Sequence, residues 1–175
     1  YQNMIGNCSA EVVSSTVPCS HKWMTGTVNS FFIGLTATFI ATTLGTIAAL
    51  GLSRPHMPYK GLIMAILISP MIVPLIITAA GMFFFYARIN LVYTFTGVIL
   101  AHVALATPFV VITVTATLVG FDMNMVKASQ SLGARPVRTF FKVIMPLILP
   151  GIISGALFAF ITSFDEVVIV MFMAS

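Results

Sequence analysis

Four apolar runs, each long enough to cross a bilayer as a helix, constrain this chain more than any other feature. They are Thr27–Leu52, Gly61–Tyr86, Leu91–Val119 and Val143–Met173. A hydrocarbon core about 30 Å thick takes roughly 20 helical residues. In lipid each run must satisfy its own backbone hydrogen bonds, which leaves helices as the assignment. A closed barrel calls for alternating strands of about ten residues, and these runs are continuous and longer. Charged residues make up only 7% of the chain, against about 25% in a soluble domain. The reading is an all-α, polytopic integral membrane protein with four spans in view.

The basic residues orient the bundle. Arg54 and Lys60 lie in the first connection, and Lys127, Arg135, Arg138 and Lys142 in the third. Only Lys22 and Arg88 lie on the opposite side. The positive-inside rule therefore puts the first and third connections in the cytoplasm and residues 1–26 outside. That outer segment holds Cys8 and Cys19, the two cysteines of the chain. An oxidising compartment allows a bridge between them, and their spacing neither requires nor excludes one. No signal-peptide pattern opens at Tyr1, and internal repeats are not evident. A net charge of +4 is too small for a nucleic-acid surface.

Between the third and fourth runs lies a basic island, KASQSLGARPVRTFFKVIMP, from Lys127 to Pro146. Asp122 suits a helix N-cap, its carboxylate accepting from free amides near Met123. Gly133 suits a C-terminal stop, since it takes positive φ without a Cβ clash. Pro136 suits the first turn of a second short helix, and Pro146 and Pro150 mark re-entry into the membrane. The expected shape is helix, glycine turn, helix at the cytoplasmic surface. On physics alone this is either an element gripped by a soluble partner or a linker that obeys the positive-inside rule.

The island resembles the EAA loop of permease subunits of binding-protein-dependent ABC importers, in which Glu-Ala-Ala, three residues and Gly are followed by a later proline. The matching positions are Lys127, Ala128, Ser129, Gly133 and Pro146. Lys127 stands where the motif has glutamate and Ser129 where it has its second alanine. SPMIVPLIITA, LAHVALATPFVVITVTATLVGFD and SGALFAFITSFDEVVIVMF resemble the polyamine (spermidine/putrescine) branch of these permeases, so that the likeness covers Thr27 to Met173. It implies a type I ABC importer permease domain over 27–175 with a coupling loop at 121–146, in a bacterial inner membrane. The partners it implies are cytoplasmic ATP-binding subunits, a second permease subunit (the same or homologous), an extracytoplasmic solute-binding protein and membrane lipid. Relatives of this kind have about six spans, so a first helix before Tyr1 and a last one after Ser175 are expected.

Several polar groups lie at membrane depth, where ionisable residues are costly and face a cavity or a partner. Asp165 and Glu166 interrupt FITSFDEVVIVMF. Counting 1.5 Å per residue from Met173 and from Thr94 puts Asp165 and His102 each about 12 Å below the outer boundary, so a His102–Asp165 contact is geometrically allowed. The two carboxylates either attract a cationic solute from outside or hold the bundle together through Ser and Thr on neighbouring spans. Adjacent helical residues point about 100° apart, which argues against both serving one ligand. The run Phe83 to Tyr86 either offers cation–π contacts to an amine or forms an interfacial aromatic belt. Pro70 and Pro74 are expected to kink the second span and free carbonyls toward a pathway. Polyamine permeases often carry an acid after the second of these prolines; here the residue is Leu75. Gly151 and Gly155 allow close helix approach, within the chain or to a second subunit.

The sequence holds no metal-spaced His/Cys set, no nucleophile with a base and no phosphate-binding glycine loop, so no cofactor is expected and ATP chemistry falls to a partner. The expected function is a permease subunit for a small organic cation, polyamine-like. The rival readings are a permease for another small solute, an ion-gradient-driven secondary transporter and a structural membrane subunit.

Overall fold

The structure, a computed structural model, describes residues 22–54, 57–120 and 124–174. Cys8, Cys19 and Asp122 lie outside the described residues, and with them the bridge and the N-cap considered above. The described elements are all helical: α1 (Lys22–Leu52), α2 (Lys60–Ile72), α3 (Leu75–Arg88), α4 (Phe95–Val119), α5 (Asn124–Ser131), α6 (Pro136–Thr139), a π-helical turn (Phe140–Ile144), α7 (Met145–Asp165) and α8 (Val168–Ala174). The three-to-four-span bundle agrees with the expected fold class, and α1 and α4 match two of the runs closely.

Helix α4 is the centre of the molecule. Some 61% of its most apolar stretch is buried, against 28% for α1 and 22% for the helix containing α7. Small residues let the backbones close in, as they must where lipid supplies no hydrophobic drive between helices. Ala37, Ala41 and Ala49 of α1 and Ala159 of α7 meet Val103, Ala106, Val110 and Val114 of α4. A Cβ on Gly45 would sit 2.7 Å from Val110 Cβ, and one on Gly155 would sit 2.5 Å from Thr113 Oγ1. The Gly151/Gly155 pair thus serves packing within the chain. A second cluster joins Ala79 and Tyr86 of α3, Val98, Ala101 and Leu105 of α4, and Ile169 and Met173 of α8. Exposed threonine hydroxyls on α1 turn back onto their own helix, Thr36 to Phe32 O and Thr43 to Phe39 O, as buried or lipid-facing hydroxyls do.

The second run is not one helix. α2 and α3 meet at a bend of 105°, far sharper than a proline kink. Val73 is extended (φ −75°, ψ 135°) and Pro74 follows with ψ 132°. A residue before proline is driven out of the α region, and two extended residues in succession turn the chain. Pro70 sits inside α2 without ending it. α1 and α4 run parallel, since residues 26–33 lie beside 98–102 and Gly45 beside Thr107 and Val110. The chain between them must therefore return to its starting side, so α2 and α3 together make one broken span. The same geometry puts Arg54 and Lys60 at the end of the bundle that carries Lys127 to Lys142.

The last run departs as well. α6, the π turn and α7 are one continuous helix of 30 residues, Pro136–Asp165. The expected separate surface helix after Gly133 is therefore the start of the span itself. Pro146 accounts for the π turn: its ring clashes with the carbonyl four residues back, on Lys142, and the helix widens there rather than breaking. At the far end the helix stops at Asp165, before the Met173 expected, and α8 is a separate short helix.

Candidate functional site

At the end of the bundle where α1 and α4 begin, the stop after Asp165 faces a cavity of about 420 Å³ between α1, α4 and the α7–α8 break. Asn29, Ser30, Tyr93, His102, Ser163 and Glu166 supply its polar lining. Thr94 sets the position of His102 by capping α4, its hydroxyl accepting from Gly97 N at 3.0 Å and donating to Leu91 O at 2.7 Å. His102 is 2% exposed. Its Nδ1 lies 2.8 Å from Ser163 Oγ, and its buried Nε2 has no partner among the described residues. The residue beside His102 is Ser163, and not Asp165, whose contact the depth arithmetic allowed. The depth arithmetic assumed an unbroken helix to Met173, and the break removes that premise.

The break itself is organised by Glu166. The residue leaves the helix at φ −80°, ψ 95°, and its Oε1 accepts from Ile169 N at 3.0 Å, capping α8. No proline or glycine marks this point in the sequence. The last four carbonyls of α7 have no helical partners, and a helix C-terminus carries roughly half a negative charge. Glu166 adds a carboxylate to the cavity wall, while Asp165 is exposed at the end of α7 and outside that wall. The two acids thus part company because Glu166 has left the helix that ends at Asp165, and not through the 100° step between helical neighbours. This wall can attract and hydrogen-bond a cation. Tyr86 takes no part in it: it is buried in the second cluster, against α4 and α8. Tyr93 N donates to Met173 O at 2.9 Å and fastens the end of α8 to the turn before α4.

At the other end, Lys127 and Ala128 are exposed on α5. Ala134 N donates to Ser129 O at 3.1 Å and Gly133 N to Gln130 O at 2.9 Å, with Gly133 at φ 78°. This is a Schellman ending, for which glycine is the natural residue. A Cβ on Gly133 would meet nothing within 4 Å, so conformation and not space selects glycine. Ser129 Oγ donates to Val126 O at 2.8 Å and lies 3.0 Å from the hydroxyl of Thr139, which is 2% exposed. With the serine proton committed, Thr139 is the donor, and α5 is pinned to α6. Ser129 and Gly133 therefore meet in one turn, while Pro146 acts further along through the π turn. Sequence reasoning missed Thr139 and Ser163; each looked like an ordinary small polar residue, with only its partner to distinguish it.

These features are those of a membrane transport component, and the chain belongs to the family of binding-protein-dependent transport system inner membrane components, which it matches over residues 23–175. It is 33% identical to the spermidine/putrescine transport system permease protein PotC of Haemophilus influenzae, over 84% of this chain and 57% of that protein. Against PotC of Escherichia coli K12 the identity is 32%, over 78% and 51%. Against the trehalose transport system permease protein SugB of Mycobacterium tuberculosis it is 31%, over 82% and 53%. The chain spans about half the length of these curated relatives. It is a multi-pass inner-membrane protein of a transport family.

Proposed function

We infer that this chain is the permease subunit of an ABC importer that carries a small organic cation of the polyamine kind across the inner membrane. An extracytoplasmic binding protein delivers the solute, and a second permease subunit, the same or homologous, completes the pathway. Cytoplasmic ATP-binding subunits dock on the loop 121–146, at Lys127, Ala128, Ser129 and Gly133, with Pro146 shaping the helix that leads away. The observation that carries the cation is the helix break at Glu166. It brings a carboxylate and the carbonyl end of α7 to an outer cavity, as broken transmembrane helices do where they hold cations. The PotC relatives, named for spermidine and putrescine, support the same reading. Asp165 adds negative charge beside the break, and His102 takes part in the wall through its contact with Ser163; Tyr86 contributes only by holding α3 in place.

A second reading has a specific observation behind it: SugB, named for trehalose, is nearly as similar as PotC. A neutral solute would use the hydroxyls of the wall and not its charge. The test is reconstitution of the full-length protein with its ATPase, second permease and binding protein, followed by uptake of spermidine and of trehalose. Glu166→Gln keeps an oxygen for the Ile169 amide and removes the charge. For a cation, the expected result is a roughly tenfold rise in apparent KM, equivalent to losing one charge-assisted contact of about 1.4 kcal/mol. Spermidine uptake with unchanged KM in E166Q would refute Glu166 as the cation's anchor, trehalose uptake without spermidine uptake would refute the cation, and uptake without any ATPase would refute the importer.

A further inference from the structure

A second cavity, of about 300 Å³, opens beneath the glycine turn at the cytoplasmic end. That is the small end of ligand-pocket size. Its walls include Arg138 and Lys142 from one side of the α6–π segment, and Leu132 and Val143 add apolar lining. No carboxylate lines it. Of the four acids in the chain, Asp165 and Glu166 are at the opposite end, and Glu11 and Asp122 lie outside the described residues. The hydroxyls in the wall are already committed, Ser129 to Val126 O and Thr139 to Ser129. So are the amides of Gly133 and Ala134. What remains is two cations on an apolar floor, a composition that selects an anion with a greasy attachment.

Depth identifies the anion. Within the Pro136–Asp165 helix the uncharged apolar stretch begins at Val143, so Lys142 stands at the edge of the hydrocarbon. Arg138, four residues on, is about 6 Å further out. The headgroup layer on each side of a bilayer is about 5–7 Å deep, so both cations fall within it. Leu132 is 89% exposed and Phe141 62% exposed, which suits side chains that dip into the acyl boundary. We propose that the Arg138–Lys142 cavity binds the phosphodiester headgroup of an anionic phospholipid of the inner leaflet. Arg138 takes two phosphate oxygens through its planar guanidinium, and Lys142 adds a point charge. A resident lipid here would brace the underside of the turn formed by Ser129, Gly133 and Thr139.

The test uses the full-length transporter complex in nanodiscs of equal phosphatidylglycerol and phosphatidylcholine, transferred to detergent, with retained lipid counted by mass spectrometry. The wild type should retain phosphatidylglycerol over phosphatidylcholine. Arg138→Gln/Lys142→Gln should lose that preference by roughly tenfold or more, since each basic contact to an anionic surface contributes about 1 kcal/mol. Arg54→Gln/Lys60→Gln, a basic pair at this end that does not line the cavity, should keep it, and Arg138→Lys should keep part of it. Equal retention by wild type and R138Q/K142Q overturns the proposal, as does equal loss in R54Q/K60Q, which would mean unspecific attraction. Displacement of the lipid by inorganic phosphate would assign the cavity to a soluble anion. Loss of the ATP-binding subunit from R138Q/K142Q with lipid retention unchanged would assign it to protein docking.

Discussion

At the scale of single residues, Ser129 is the most telling. It occupies a position where the resembling motif has alanine, and its hydroxyl joins α5 to the buried Thr139 on the helix that enters the membrane. A hydrogen bond between partly buried hydroxyls contributes about 1 kcal/mol net. Ser129→Ala should therefore speed hydrogen exchange of the α5 amides about fivefold while leaving α4 protected, and Thr139→Val should do the same. Exchange unchanged in both variants would mean that the turn stands without this link. Lys127, by contrast, is exposed on α5, and its side chain takes no part in holding the turn among the described residues. Its charge is thus available to whatever docks there, and Glu166→Gln at the other end tests the opposite charge in the same way.

At the scale of elements, α7 lies on α4 so closely that glycine is dictated by space. Gly155→Val should clash with Thr113 Oγ1 and Val110 Cα, costing roughly 1–3 kcal/mol or more as overpacking does and lowering the detergent-solubilised Tm by several degrees. Gly61→Val, where a Cβ meets nothing within 4 Å, should leave Tm within about a degree. A Tm unmoved by G155V would remove α4–α7 contact as a source of stability. α1 and α4 were legible in the sequence because their apolar runs stop where the helices stop, at Leu52 and Val119, although α4 starts at Phe95 after its Thr94 cap rather than at Leu91. The glycine stop at 133 was legible because only glycine takes that φ at no cost. The break at Glu166 was not, because a carboxylate that caps a new helix looks, in sequence, like any buried acid. Nor was the continuity of Pro136 into α7: the start signal was visible, but Pro146 reads as a breaker, and its accommodation by a widened turn depends on three-dimensional relaxation. The neighbours His102 and Ser163 were hidden for a simpler reason, since helix rotation is fixed by packing and not by residue spacing.

At the scale of the whole molecule, the parallel course of α1 and α4 fixes the sidedness of every connection. With Cys8 and Cys19 replaced by serine, single cysteines at Ser53 and Leu132 should react with a membrane-impermeant thiol reagent only from the cytoplasmic side. A cysteine at Tyr93 should react only from outside. Labelling of Ser53 and Tyr93 positions from one side would mean that α2 and α3 turn back without crossing. The bend between these two helices has a mechanical consequence. α3 is screwed to the bundle by Ala79 and Tyr86, whereas α2 has no buried residue. The inner half of this span touches α4 without burying a residue there, so when the bend flexes it is the inner half that yields and the outer half that stays seated.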